Sequence, residues 1–283
     1  MLARTPERCA TVSVVILRYH SDNVAHSCSI VEEDIASALV MEDDADWDVS
    51  LKSQMTTFAR ATSSLMQPLL NDKTRIWDPS YPAPSTGDLP AEIDSSEELV
   101  VQSSVSPYGD TDRWDVLWPG HCGSRFPLAS DVNVPIGRVI IRNDTTVPER
   151  RFLDMELGDD QLLGYPSGTR IVTRARVNSC TTAYAVSKNG AERMLSELIR
   201  KLDHPIDVIL RYICDGVEGR SLAKCYSVQP QYFQQHRPEG PKSAYSNIDI
   251  YDGYNARPYT KNIRHSMRLN SLPMIEGRTD FQN

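Results

Sequence analysis

Short apolar runs bounded by Gly, Pro, Asn, Asp or charge set the pattern of this chain. The runs "TVSVVIL", "ALVM", "RWDVLWPGHCG", "GRVIIRND", "TRIVTRARV", "TTAYAVS" and "AKCYSVQP" predict strands, because they are rich in β-branched and aromatic residues and stop at turn-forming ones. "ALVM" is apolar on both faces, as a buried strand must be. Elsewhere the spacing lengthens to that of a helix. Leu51, Met55, Phe58, Ala59, Leu65, Met66 and Leu69 predict a helix that starts at Leu51, with Asp48 or Ser50 placed to cap it. "SKNGAERMLSELIRKL" carries Ala191, Met194, Leu195, Leu198, Ile199 and Leu202 on one side, and "PIDVILRYIC" reads as a further helix. "RYHSDNVAHSCS" reads as polar punctuation after the first strand. Strands alternating with helices predict an α/β fold with a mixed sheet flanked by helices.

Two stretches lack either period. Residues 71–112 shift to Pro, Ser, Asp and Glu, and predict a mobile acidic, Pro-rich insertion, since too little apolar surface is available to offset the entropy of ordering. After Gly240 the chain is polar and aperiodic. It divides accordingly into a domain over 1–250 and a polar tail over 251–283.

At 283 residues, 40% hydrophobic and 24% charged, the chain is long enough for a sizeable core. Its net charge of -8 argues against nonspecific nucleic-acid binding, which requires a basic surface. The six cysteines, Cys9, Cys28, Cys122, Cys180, Cys214 and Cys225, have no zinc-type spacing and read as scattered buried thiols. Cys214 and Cys225 would close a short loop if the chain matures in an oxidising compartment. No apolar run is long enough to span a bilayer, and no signal or anchor is visible.

The chemistry gathers in "SALVMEDDADWDV". Glu42, Asp43, Asp44 and Asp46 repel one another unless a cation, a basic side chain or water intervenes. They follow a predicted buried strand and precede a predicted helix, and ligands of α/β sheets sit beyond the carboxyl ends of strands. Carboxylates there are hard oxygen donors, suited to Mg²⁺ or Mn²⁺. The plainer alternative is a solvated acidic turn that caps the helix. Trp47, Trp114 and Trp118 are read as core residues rather than sugar platforms, and Gly190 as a point of close packing.

Five blocks in order, "ALVMEDDADWDV", "WDVLWPGHCG", "TTAYAVSKNGAERML", "HPIDVILRYICDG" and "CYSVQPQYFQQHRPEG", resemble glycosyltransferase family 25, the lipopolysaccharide and procollagen galactosyltransferase type, particularly its fungal members. The resemblance covers about Glu32 to Ile250. It implies a GT-A fold, a UDP-sugar donor carrying galactose or glucose, Mn²⁺ (or Mg²⁺), a glycan or glycoprotein acceptor, inversion at the anomeric carbon and residence in the secretory pathway. By that resemblance Glu42, Asp43 and Asp44 match the acidic metal and donor motif, and His236 adds a metal or diphosphate contact with Arg237 as a phosphate partner; His121, in a glycine turn at a strand end, is a candidate donor contact whose plainer alternative is a loop histidine. Asp207 matches the family's "P-[IV]-D" aspartate and is the candidate base; its local alternative is a helix cap. The sequence also departs from the family. Only 41 residues precede Glu42, so the amino-terminal nucleotide-binding half reads as incomplete, and Pro119 stands where an aliphatic strand residue is expected. Two other functions remain open: an inactive relative that binds carbohydrate or protein, and an acidic divalent-ion-binding protein.

Overall fold

Strands that are apolar on both faces need cover on both faces, and the fold supplies it. A computed structural model of the chain describes residues 12–17, 27–97, 101–154, 160–245 and 252–282. In chain order its elements are β1 (Val12–Leu17), a short helix α1 described over 27–32, β2 (Ser37–Glu42), β3 (Ala45–Trp47), α2 (Leu51–Met66), β4 (Pro68–Leu69), β5 (Asp72–Ile76), β6 (Glu92–Asp94), β7 (Val116–Gly120) and β8 (Arg138–Ile141). There follow α3 (Asp160–Leu163), β9 (Arg170–Arg174), β10 (Ala183–Ser187), α4 (Lys188–Arg200), α5 (Ile206–Asp215), β11 (Cys225–Gln229), β12 (Phe233–Arg237), β13 (Gly240–Pro241), β14 (Tyr254–Asn255), β15 (Tyr259–Thr260) and α6 (Met267–Ile275). The fold is mixed α/β. The predicted polar punctuation after β1 lies largely outside the described residues.

The main sheet has the order β1-β2-β10-β7-β11-β9-β8-β6. β1 and β2 are parallel, β10 is antiparallel to both β2 and β7, and β7 is parallel to β11. The carboxyl ends of β2, β7 and β11 therefore share one edge. Strand alternation sorts the side chains into two cores. Val116, Trp118, Tyr184 and Val186 pack with Ala191, Met194 and Leu198 of α4 and Ile209, Leu210 and Ile213 of α5. On the opposite face Leu117, Ala183, Tyr226 and Val228 pack with Phe58, Ala61, Leu65 and Met66 of α2.

Pro119 is accommodated where the β10–β7 ladder slips its register between Ala183 and Ala185, a bulge that needs one donor fewer. Gly190, whose N–H is taken by the Ser187 cap, sits so close to β7 that a Cβ would lie 2.1 Å from the Asp115 carbonyl oxygen. Trp114 and Trp118 are buried, as expected of core residues, and Trp47 is half-buried, edge-on to Phe233.

The segment 71–112, expected as a mobile insertion, carries ordered pairing. β5 forms a hairpin with β4, and β6 extends the sheet parallel to β8. Between them Asp78 is buried: Oδ1 accepts from the Ser80 backbone and hydroxyl, and Oδ2 accepts from Gly137 N–H. Composition alone missed this, because a few apolar anchors, Ile93, Trp77 and Tyr108, and the buried bonds of Asp78 hold the segment without any periodic pattern. The stretch 251–283 likewise differs from a tail. β15 pairs with β12, and α6 docks against β3.

Candidate functional site

The acidic turn begins where β2 runs out of pairing. Glu42 is the last residue of β2, and its two carboxylate oxygens accept separate bonds, Oε1 from Thr181 Oγ1 at 2.8 Å and Oε2 from Gln235 Nε2 at 3.2 Å. Asp43 is exposed, and its carbonyl accepts from the Arg268 guanidinium. Asp44 is intermediate, its side chain 31% exposed, with Arg237 Nη1 3.6 Å from Oδ2. Loss of hydration, then the neighbouring charge of Glu42, outweigh Arg237 and push the Asp44 carboxyl up to about 6. This is a crowded anionic site that a cation would relieve.

The next two acids behave differently. Asp46 is wholly buried. Burial opposes its charge, but the nearby His236 imidazole and hydrogen bonds from Ser266, Thr260 and the Trp47 N–H overcome that and hold its pKa below the usual carboxylate range. Asp48, also buried, accepts Ser50 N–H on Oδ1 and His265 N–H on Oδ2, both at 2.8 Å. Ser50 occupies the N-cap position of α2 but makes no side-chain cap bond. The acidic run therefore splits in two: Glu42, Asp43 and Asp44 face the sheet edge, while Asp46 and Asp48 anchor the C-terminal segment.

β12 brings the other nominated residues alongside. It pairs antiparallel with β3 through Gln235↔Ala45, and His236 N–H donates to the Asp44 carbonyl at 2.8 Å. His236 Nδ1 lies 2.9 Å from Thr260 Oγ1 and 3.7 Å from Asp46 Oδ2. Arg237, besides Asp44, donates to the Gln235 side chain and the Tyr245 carbonyl, and its guanidinium stacks on the Tyr245 ring. Among the described residues, no three His, Cys, Asp or Glu side chains converge as a preformed metal cage. Glu42, Asp44 and His236 are neighbours, each turned to a different protein partner.

Asp207 lies in the first turn of α5, whose N-cap is Pro205 without a side-chain bond. Its Oδ2 accepts the backbone N–H of Cys180 at 3.1 Å, so it does not cap its own helix. Cys180 is bonded to Cys122 and precedes Thr181, the partner of Glu42. The loop Cys180–Thr181 thus touches the candidate base and the acidic turn in successive residues. Its backbone is in the left-handed region at Val177 (φ 54) and Cys180 (φ 59), unusual for non-glycine residues, and Asp215 accepts the Val177 N–H while the disulfide fixes Cys180. Contrary to the reading of scattered thiols, four of the cysteines among the described residues pair, Cys122–Cys180 and Cys214–Cys225, and Cys28 is free.

His121 corrects an expectation. It follows β7 but points inward, 1% exposed, with Nε2 2.9 Å from the Val228 carbonyl oxygen and Nδ1 without a partner among the described residues. A side chain so enclosed does not reach a donor at the surface. Burial pulls its pKa down to about 4 from 6.5, against a smaller opposing effect of the Val228 bond. Between those two values the unfolded chain binds a proton that the folded chain does not, so stability is complete above pH 6.5 and falls as pH drops toward 4. Across that window the parent is expected to lose roughly 3 kcal/mol more than His121→Gln, which keeps a donor for Val228. Asp44, raised to about 6, works in the opposite sense but equally in both proteins, so the comparison removes it. Urea titrations at several pH values check this; parallel pH profiles would contradict a buried neutral imidazole.

Thr181, Gln235, Thr260, Ser266 and Arg268 complete the site and were not nominated from sequence. The only available signal was position: the first two lie inside two of the five sequence blocks quoted above, and the other three lie beyond them. Compared with protein-family models, curated proteins and solved structures, the chain matches none. No described helix is long and apolar enough to cross a membrane.

Proposed function

We propose that this chain is a metal-dependent glycosyltransferase of the GT-A type that transfers galactose or glucose from a UDP-sugar to a glycan or protein hydroxyl with inversion. The observation that carries the reading is the sheet edge: three carboxylates at the carboxyl end of β2, one of them raised to about 6 by lost hydration and then by its neighbour Glu42, beside an arginine on β12. The antiparallel β10 inserted between β2 and β7 suits the mixed sheet that the family resemblance implies. Two disulfides suit the secretory pathway.

The donor set fits Mn²⁺ or Mg²⁺. Glu42, Asp43 and Asp44 offer hard oxygens and His236 an imidazole nitrogen. Such an ion, when bound, would supply Lewis-acid neutralisation of the leaving diphosphate. Arg237 is placed to exchange its contact with Asp44 for a phosphate oxygen, a charge-assisted bond of the stronger kind. Asp207 would take the proton of the acceptor hydroxyl. As that oxygen bonds to the anomeric carbon, the bond to the diphosphate breaks, and its electron pair leaves with the phosphate oxygen.

Calorimetry with Mn²⁺, with UDP and with both tests the reading. Synergy between the two ligands is the expected result. Asp44→Asn should weaken Mn²⁺-dependent UDP binding by about tenfold or more, through loss of one anionic donor, with the melting temperature within a few degrees of the parent. Metal binding without synergy would leave an acidic ion-binding protein. Binding of neither would leave the inactive carbohydrate- or protein-binding module.

A further inference from the structure

We propose that Thr260 and Asp46 are positioning residues that fix the tautomer of His236, so that its Nε2 lone pair is held ready as a ligand beside Asp44. The inference rests on the metal site proposed above and deepens it. Counting hydrogen atoms carries the argument. Ser266 Oγ accepts the Leu269 N–H at 3.1 Å, so its one hydroxyl hydrogen is free for Asp46, to which it donates. Asp46 also accepts from the backbone N–H of Trp47 at 2.8 Å and of Arg268 at 3.2 Å, and from Thr260 Oγ1 at 2.5 Å. With four donors aimed at its two oxygens, Asp46 is an ionised acceptor.

Thr260 also has a single hydroxyl hydrogen, and Asp46 receives it. The 2.9 Å contact between Thr260 Oγ1 and His236 Nδ1 must therefore run the other way, with the imidazole donating. Asp46 Oδ2, 3.7 Å from the same nitrogen, favours the proton there electrostatically. A neutral imidazole protonated on Nδ1 has its lone pair on Nε2, and Nε2 has no hydrogen-bond partner among the described residues. The backbone N–H of His236 donates to the Asp44 carbonyl, so the two residues are adjacent across β12 and the turn that follows β2. A carboxylate behind the far nitrogen of a histidine is the usual means of orienting a metal-ligating imidazole. Here a threonine hydroxyl relays it.

Side-chain ¹H–¹⁵N correlation spectra of the metal-free protein, recorded where the imidazole is neutral and assigned with His236→Gln, read the tautomer directly. The expected spectrum shows a protonated Nδ1 and a bare Nε2. Thr260→Val should let the Nε2–H tautomer appear and weaken Mn²⁺ binding about tenfold, while Thr260→Ser restores both. A parent protonated on Nε2 would overturn the proposal, as would a valine variant that binds Mn²⁺ like the parent. A parent with the expected tautomer and Mn²⁺ affinity but no synergy with UDP would remove the transferase reading and leave this one standing. A parent that binds no Mn²⁺ overturns both.

Discussion

Asp46→Ala is expected to lower the free energy of unfolding by about 3–5 kcal/mol, the range for removing one partner of a buried, fully hydrogen-bonded charge. The substitution leaves the hydroxyls of Thr260 and Ser266 and the backbone N–H groups of Trp47 and Arg268 without their shared acceptor. Thr260 lies in β15, Arg268 in α6 and Ser266 at the α6 N-cap, so most of the loss falls on the docking of the C-terminal segment. Hydrogen exchange should rise first over residues 259–275, and urea unfolding should shift to lower concentration. Asp43→Ala is the control. That side chain is exposed, and its substitution is expected to change stability by no more than about 0.5 kcal/mol. If the two variants melted together, Asp46 would not be the anchor the fold makes it.

The contrast between neighbouring acids also marks the limit of the sequence. "EDDADWD" displays charge but not direction, and only the pairing of β3 with β12 decides which carboxylates turn inward. β2, β7, β8, β9, β10 and β11 were legible because apolar residues on both faces force a strand into a sheet interior. The helices α2, α4 and α5 were legible because their apolar residues recur on one side. β12 was not, since "FQQHR" is mostly polar and earns its place by pairing with β3, β7 and β15. α6 was missed for a related reason. It buries Asn270 and Pro273 rather than an apolar stripe, and Asn270 donates to the carbonyls of Ser266 and Gln282. Elements held by polar bonds to distant partners leave little periodic trace.

The disulfides show the same division. Cys214 lies in the last turn of α5 and Cys225 begins β11, 11 residues later, so their proximity was open to inspection. Cys122 and Cys180 are 58 residues apart, and nothing short of the β7–β10 pairing brings them together. That pairing also gives the candidate base its neighbours. The residue type at Asp207 came from a resemblance; its contact with the loop beside Glu42 came only from the fold.

Asp207→Asn is therefore expected to slow sugar transfer by roughly 10²-fold or more while leaving the fold and UDP binding as in the parent. Asparagine retains an oxygen that can accept the Cys180 N–H, now made by Asp207 Oδ2, so the Cys122–Cys180 loop and, through Thr181, Glu42 should keep their places. What asparagine cannot do is accept the proton released as the acceptor oxygen attacks. A purely structural aspartate would make the substitution nearly silent in rate, or would move melting temperature and UDP affinity together with it. The measurement is kcat and the UDP dissociation constant side by side, with Asp207→Ala added to remove the loop contact as well. Transfer by the asparagine variant at the parent's rate would assign Asp207 to holding Cys180 alone. A fall in kcat at constant UDP affinity and constant melting temperature, deepened in the alanine variant by a loss of stability, would separate the two tasks of one carboxylate: proton acceptance by the side chain and support of the loop that steadies Glu42.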